Sequence, residues 1–242
     1  MTETFFDRPI LITGAARSGT SMTAGVISIC GPFGGKTSGP TRYNRKGMFE
    51  NSDIRNRVVK PFLKKYGYDP MGQKPLPDIT LMKKVSRDDV VISELKSRVM
   101  KTIKSQGYNG KSRWYYKGAK LCLLFPIWNE MFPNADWIIV RRDAEDIVRS
   151  CLKTSFMRAY TGRSGWLGWV SEHEARFEEM ADAGIKIQEV WPQRMINGDF
   201  TGIQNVVNNL GLNWDNRILQ KVKEFVEPKL WNRGAGRNGK SS

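Results

Sequence analysis

Two short segments carry residues whose types and spacing suit the binding of a phosphate group. The first is Gly14-Ala-Ala-Arg-Ser-Gly-Thr-Ser21, which follows the apolar run Ile10-Leu-Ile-Thr13. Glycines at 14 and 19 let backbone N–H groups converge on an anion, and a helix starting just beyond them adds the partial positive charge of its N-terminus. The residues expected to hold the anion are Gly14, Ala16, Arg17, Ser18, Gly19, Thr20 and Ser21. The spacing is that of a Walker A loop, but Thr20 stands where the lysine that reaches the β- and γ-phosphates would be. That absence argues against ordinary triphosphate chemistry. No second apolar strand ends in an Asp able to hold Mg²⁺; the clearest one, Trp137-Ile-Ile-Val140, runs into Arg141-Arg142.

The second segment, Arg142-Asp-Ala-Glu-Asp-Ile-Val-Arg-Ser150, spans a strand end and the first turns of a helix. Asp143 is a good N-cap, and Asp146 sits where the acid of a capping box belongs. Arg142 and Ser150 have a spacing that lets both reach one phosphate. Taken singly, each segment has a plain structural reading, a tight turn or a solvated helix start.

The elements needed to position these residues follow from periodicity. Runs at 10–13, 114–116, 137–140 and 185–191 read as strands, and the first and third are short apolar runs, Thr13 alone excepted, as in a sheet covered on both faces. Helices are expected over 22–29, 53–66, 88–104, 121–132, 143–153, 166–183, 203–210 and 216–226, with loops at 33–47 and 69–77. Alternating strands and helices predict an α/β three-layer sandwich with a central parallel sheet, whose ligands bind at the carboxyl ends of the strands. One domain is expected over residues 1–231, followed by a basic Gly- and Ser-rich tail, 232–242, expected to be disordered.

Composition narrows the partners. The 242 residues carry 39 Lys and Arg against 24 Asp and Glu, a formal charge of +15, which favours anionic ligands. Three widely spaced cysteines and a single histidine, His173, supply no metal-ligand pattern, so no metal site is expected. The cysteine usage fits a cytoplasmic protein. No run reaches the ~18 apolar residues of a membrane span, and Ile10–Ile12 is too short for a signal segment.

Together the two segments resemble the signature pair of sulfotransferases that use 3′-phosphoadenosine 5′-phosphosulfate (PAPS). In that family a loop of the form [KR]-[SG]-G-T-[TS] binds the 5′-phosphosulfate, and here it reads Arg17-Ser-Gly-Thr-Ser21. A segment of the form R-x-P-x-D-x-x-x-S binds the 3′-phosphate; Arg142, Asp146 and Ser150 keep its spacing, while Ala144 replaces the proline. Further stretches are similar to the bacterial and viral branch, among them Lys46-Gly-Met-Phe-Glu-Asn51, Glu189-Val-Trp-Pro192, Leu210-Gly-Leu-Asn-Trp-Asp215 and Pro228-Lys-Leu-Trp231. The resemblance implies a P-loop-like fold and metal-independent in-line transfer of the PAPS sulfuryl group to a hydroxyl or amine of an acceptor, a carbohydrate or glycolipid among the options, leaving PAP.

The resemblance also implies roles. Arg17 takes the place of the catalytic lysine or arginine. Lys117, in Lys117-Gly-Ala-Lys120, is the nearest counterpart of a Lys-Thr-His stretch and lacks its histidine. Glu50 is the candidate general base, matching an acidic position of glycan-sulfating relatives; it could instead cap the helix near Ser52 or pair with an Arg. His173, on an apolar helix face, suits packing better than catalysis. Arg233 and Arg237 offer a weak match to a basic-Gly motif. A P-loop-type nucleotide or small-molecule kinase is the second reading. A non-enzymatic nucleic-acid-binding protein is the third, disfavoured because the basic residues are dispersed and no known binding motif is present.

Overall fold

In the computed structural model, residues 5–231 are described; Arg233, Arg237 and the rest of the tail lie outside them. The chain runs β1 (Ile10–Thr13), α1 (Thr20–Ile29), α2 (Ser52–Ile54), a π-helical turn (Arg55–Val59), α3 (Lys60–Lys65), α4 (Ile79–Val85), α5 (Asp89–Ser105), β2 (Tyr115–Lys117), a 3₁₀ turn (Cys122–Leu124) and α6 (Phe125–Met131). It continues through β3 (Asp136–Val140), α7 (Ala144–Leu152), α8 (Arg163–Asp182), β4 (Ile187–Val190), α9 (Pro192–Ile196), α10 (Thr201–Asn209) and α11 (Asn216–Phe225). The four strands are parallel, in the order β2-β1-β3-β4.

The period of two in β1 and β3 explains why helices cover both faces. Leu11, Trp137 and Ile139 pack on one side with α3–α6 and the end of α8. Ile10, Ile12, Ile138 and Val140 pack on the other with α1 and α9–α11. All four residues of β1 are fully buried, so either a polar substitution or a shift of register would place an unpartnered group in a core. A smaller cluster of Ala15, Ile147, Val148, Cys151, Trp166 and Trp169 fixes α7 against α8 under the end of β1.

The strand order places a topological switch between β1 and β3, since the chain leaves β1 toward β2 and leaves β3 toward β4. Crevices at such points are where α/β sheets bind ligands. Residues 14–19 leave β1 at this point and lean over the end of β3: a Cβ on Gly14 would lie 2.5 Å from the Val140 carbonyl oxygen.

Several sequence expectations change in detail. The second strand is Tyr115–Lys117 rather than 114–116; Trp114 makes only an isolated bridge, to Phe33, and its side chain fills the core. The helix expected over 121–132 is a 3₁₀ turn followed by α6, with Pro126 at the α-helical start. The helix expected over 53–66 contains the π turn. Asp143 caps α7, accepting from Asp146 N at 3.0 Å, but the Asp146 carboxylate is turned to Arg142 and Arg149.

Candidate active site

A cleft of about 430 Å³ opens at the carboxyl edge of the sheet, lined by the loop after β1, the turn after β2, Arg142 after β3 and segments from the long loops. The loop after β1 forms its floor. Gly19, at φ 102°, is the N-cap of α1 and offers no side-chain acceptor to the helix's first N–H groups. Thr20, Ser21 and Met22 at that open end line the cleft, so the end of the helix is presented to it. A Cβ on Gly19 would meet Pro192 at 2.9 Å and Trp231 at 3.0 Å. Arg17 holds φ 76°, a left-handed conformation that costs a non-glycine residue of order 1 kcal/mol or more. Gly14 and Ser18 lie beneath the loop and not on the cleft wall; Ser18 Oγ is buried without a hydrogen-bond partner among the described residues.

The two phosphate-type motifs meet here. Arg17 Nε donates to Ser150 Oγ at 2.9 Å, and Arg142 Nη1 donates to the Arg17 carbonyl at 2.9 Å. Ser150 is buried on α7 and serves Arg17, so it orients the first motif instead of lining the cleft beside Arg142. Arg142 stacks on Trp231, 4.3 Å from the ring centroid, and Trp231 is held by an Nε1–H donation to Gln193 Oε1 at 2.8 Å. Burial lowers the pKa of both arginines from the ordinary value, and Arg17 further disfavours the charge on Arg142. Two mostly buried guanidinium groups side by side form a site that an anion stabilises.

Glu50 and Lys117 meet in the same cleft. Asn51, not Glu50, caps α2: its Oδ1 accepts from Ile54 N at 3.2 Å, and its Nδ2 donates to Gln106 Oε1 at 2.8 Å. Glu50 is therefore left facing the cleft, 4% exposed, just after Phe49 at φ 51°. Its Oε2 lies 3.6 Å from Arg55 Nη1 and 3.8 Å from Lys117 Nζ. Its Oε1 is buried with no hydrogen-bond partner among the described residues. Burial lowers the pKa of Lys117, and the Glu50 carboxylate opposes that shift.

The rim is tied together by residues that sequence spacing does not reveal. Tyr43 Oη donates to Ser155 Oγ at 2.6 Å and so joins loop 33–47 to loop 153–162 above the cleft. Gln73, buried, donates to the Phe156 carbonyl at 2.7 Å and accepts from Arg158 N at 2.7 Å, which fixes loop 69–77 to the same segment. His173 lies elsewhere: it is buried in α8, its Nδ1 is 2.8 Å from the Trp169 carbonyl, and burial depresses its pKa to about 4. It lines no part of the cleft. Among the described residues no group of three or more His, Cys, Asp or Glu side chains is placed to hold a metal ion, and no helix is long and apolar enough to cross a membrane.

No protein-family model and no curated protein matches the chain in sequence. Solved structures do match in fold. One is a sulfotransferase from Mycobacterium avium, with a TM-score of 0.52 at 12% identity over 90% of this chain and 67% of that one. Another is the sulfotransferase domain of the olefin synthase of a Synechococcus, with a TM-score of 0.51 at 11% identity over 93% of this chain and 86% of that one. The central parallel sheet flanked by helices is therefore the fold seen in these sulfotransferases.

Proposed function

We propose that this chain is a PAPS-dependent sulfotransferase, that residues 1–231 form its single catalytic domain, and that the cleft transfers a sulfuryl group to an acceptor hydroxyl or amine. One convergence carries this reading: Arg17 and Arg142, distant in sequence, meet in the cleft that also holds the open end of α1, Glu50 and Lys117, with Ser150 orienting Arg17 from behind.

The residues present fit the nucleotide. The open N-terminus of α1, with Thr20, Ser21 and Arg17, would hold the 5′-phosphosulfate, and Arg142 the 3′-phosphate. The fit has a physical basis in the adjacent, mostly buried guanidinium groups and in the start of α1, which no side chain caps. When bound, PAPS supplies an activated sulfuryl group and leaves as PAP. Arg17 and Lys117 place fixed positive charge where negative charge develops; removing one such donor typically costs ~100-fold or more in rate. Glu50 Oε1, buried and unpartnered, is the proton acceptor for the attacking hydroxyl. Ser150 is a positioning residue that acts through Arg17. The three buried free cysteines are in keeping with a reducing, cytoplasmic setting.

Calorimetric titration of the wild-type chain and Arg142→Ala with PAP and with AMP tests the assignment. PAP should bind the wild type more tightly than AMP, and Arg142→Ala should erase most of that difference while leaving AMP affinity nearly unchanged. Equal affinities of the wild type for PAP and AMP would remove the 3′-phosphate from the account. Binding of ATP·Mg²⁺ in preference to PAP would favour the kinase reading.

A further inference from the structure

The cleft holds more positive charge than a nucleotide needs. Arg17, Arg142 and Lys117 are spoken for, yet Arg55, Lys60 and Lys120 also line it. Of the two carboxylates that line it among the described residues, Glu50 pairs with Arg55 and Lys117, and Glu227 with Lys46. Among the described residues, Lys60 and Lys120 form an ion pair with no carboxylate. Lys120 is 8% exposed, its stem packed so closely on loop 69–77 that a Cβ on Gly72 would lie 2.8 Å from its Cγ. Lys60 is close enough to feel Arg55 and Lys120, and burial together with these two neighbours lowers its pKa.

Local backbone geometry directs the charge. In a regular α-helix, residues five apart point about 140° away from each other. The π turn Arg55–Val59 closes with a bond from Lys60 N to the Arg55 carbonyl, which brings residues 55 and 60 toward one face. Both line the cleft. The segment from Arg55 to Lys65 holds five Lys or Arg side chains; Arg57, Lys64 and Lys65 do not line the cleft, whereas the extra residue of the π turn sets Arg55 and Lys60 beside Glu50.

Resting on the sulfuryl-transfer reading of this cleft, we propose that the acceptor is itself an anion: a carboxylate or a phosphate ester stands close to the hydroxyl served by Glu50 and is held by Lys60 and Lys120, with Arg55 beside them. A neutral acceptor would leave the partly desolvated ammonium groups of Lys60 and Lys120 close together with no ion-pair partner of their own. An oxyanion turns them into donors of charge-assisted hydrogen bonds. Lys60 and Lys120 are thus specificity residues, separate from those that hold the nucleotide.

The test uses thermal unfolding of the full chain saturated with PAP, titrated with methyl β-D-glucuronide, with glucose 6-phosphate and with neutral methyl β-D-glucoside. At least one anionic sugar should stabilise the PAP complex where the glucoside does not, and comparison of the two tells carboxylate from phosphate. Lys60→Met and Lys120→Met should each weaken the anionic sugar by about tenfold or more while PAP still stabilises the protein. Lys60 is only half-buried, so its variant decides the matter if Lys120→Met does not fold. Equal effects of charged and neutral sugars on the wild type, or an anion preference that survives Lys60→Met, overturn the proposal. Lys60-dependent binding of an anionic sugar in a chain that PAP does not stabilise would uphold the oxyanion site and overturn the nucleotide reading.

Discussion

Glu50→Gln keeps the shape of the side chain and removes its charge, so it isolates the electrostatic part of the account. In the wild type, one carboxylate oxygen lies 3.6 Å from Arg55 and 3.8 Å from Lys117, both in a shielded wall. Breaking a buried pair by removing one partner typically costs about 3–5 kcal/mol. The amide retains a dipole, so a loss of about 3 kcal/mol is expected near neutral pH, or about 6–12 °C in Tm for a chain of this size. The loss should depend on pH. Burial lowers the folded pKa of Lys117 below its unfolded value of 10.5, and Glu50 is the main opposing influence, so the variant lowers it further. Between the folded and unfolded values the unfolded chain binds more protons, and stability therefore rises with pH across that window. The deficit of Glu50→Gln relative to wild type should shrink as pH rises through the folded pKa of Lys117 toward 10.5. Differential scanning fluorimetry from pH 7 to alkaline pH, with and without PAP, measures this. A deficit of the same size at every pH, or no deficit at all, would refute the claim that Glu50 compensates Lys117. With an acceptor in hand, the same variant should lose about 100- to 10,000-fold in transfer rate.

Ser150→Ala removes the hydroxyl that accepts from Arg17 Nε; PAP should bind about tenfold or more weakly by calorimetry, with little change in the fold. Gly14→Ala puts a methyl group 2.5 Å from a backbone oxygen at φ 156°, so a loss of about 1–3 kcal/mol or more should appear in urea unfolding. His173→Gln should leave PAP affinity unchanged and soften acid sensitivity. The wild-type imidazole, folded pKa about 4 against 6.5, contributes stability above pH 6.5 that is lost as pH falls toward 4. Removing that titration should flatten the stability profile in this window by about 3 kcal/mol.

The layers and the loop were legible because their signals are local. Apolar β1 and β3, glycines 14 and 19, and Asp143 before α7 each specify their own backbone, and each stands where periodicity and capping put it. The short helices Ile79–Val85 and Pro192–Ile196 were not, since seven and five residues are too few for a helical period to show. The π turn at Arg55–Val59 is equally silent: its residues suit an α-helix, and only the three-dimensional packing fixes the added residue. Within the site, Arg17 and Arg142 could be named from their motifs, whereas the contact of Arg17 with Ser150 spans 133 positions and is made by the fold. Trp231, Lys60 and Gln73 reach the cleft in the same way, through tertiary packing that spacing does not encode. Capping of α2 by Asn51 was hidden beside the acid expected there, and it is what frees Glu50 to face the cleft.

The most direct measurement of the central claim is the thermal stability of the wild-type chain and Arg142→Ala with saturating PAP, with ATP·Mg²⁺ as the comparison. At about 100 times its dissociation constant, PAP should add about 2.7 kcal/mol, a rise of roughly 5–10 °C. That rise should appear in the wild type and be lost in Arg142→Ala, with little effect of ATP·Mg²⁺ on either. Stabilisation by ATP·Mg²⁺ alone, or by neither ligand, would contradict the claim.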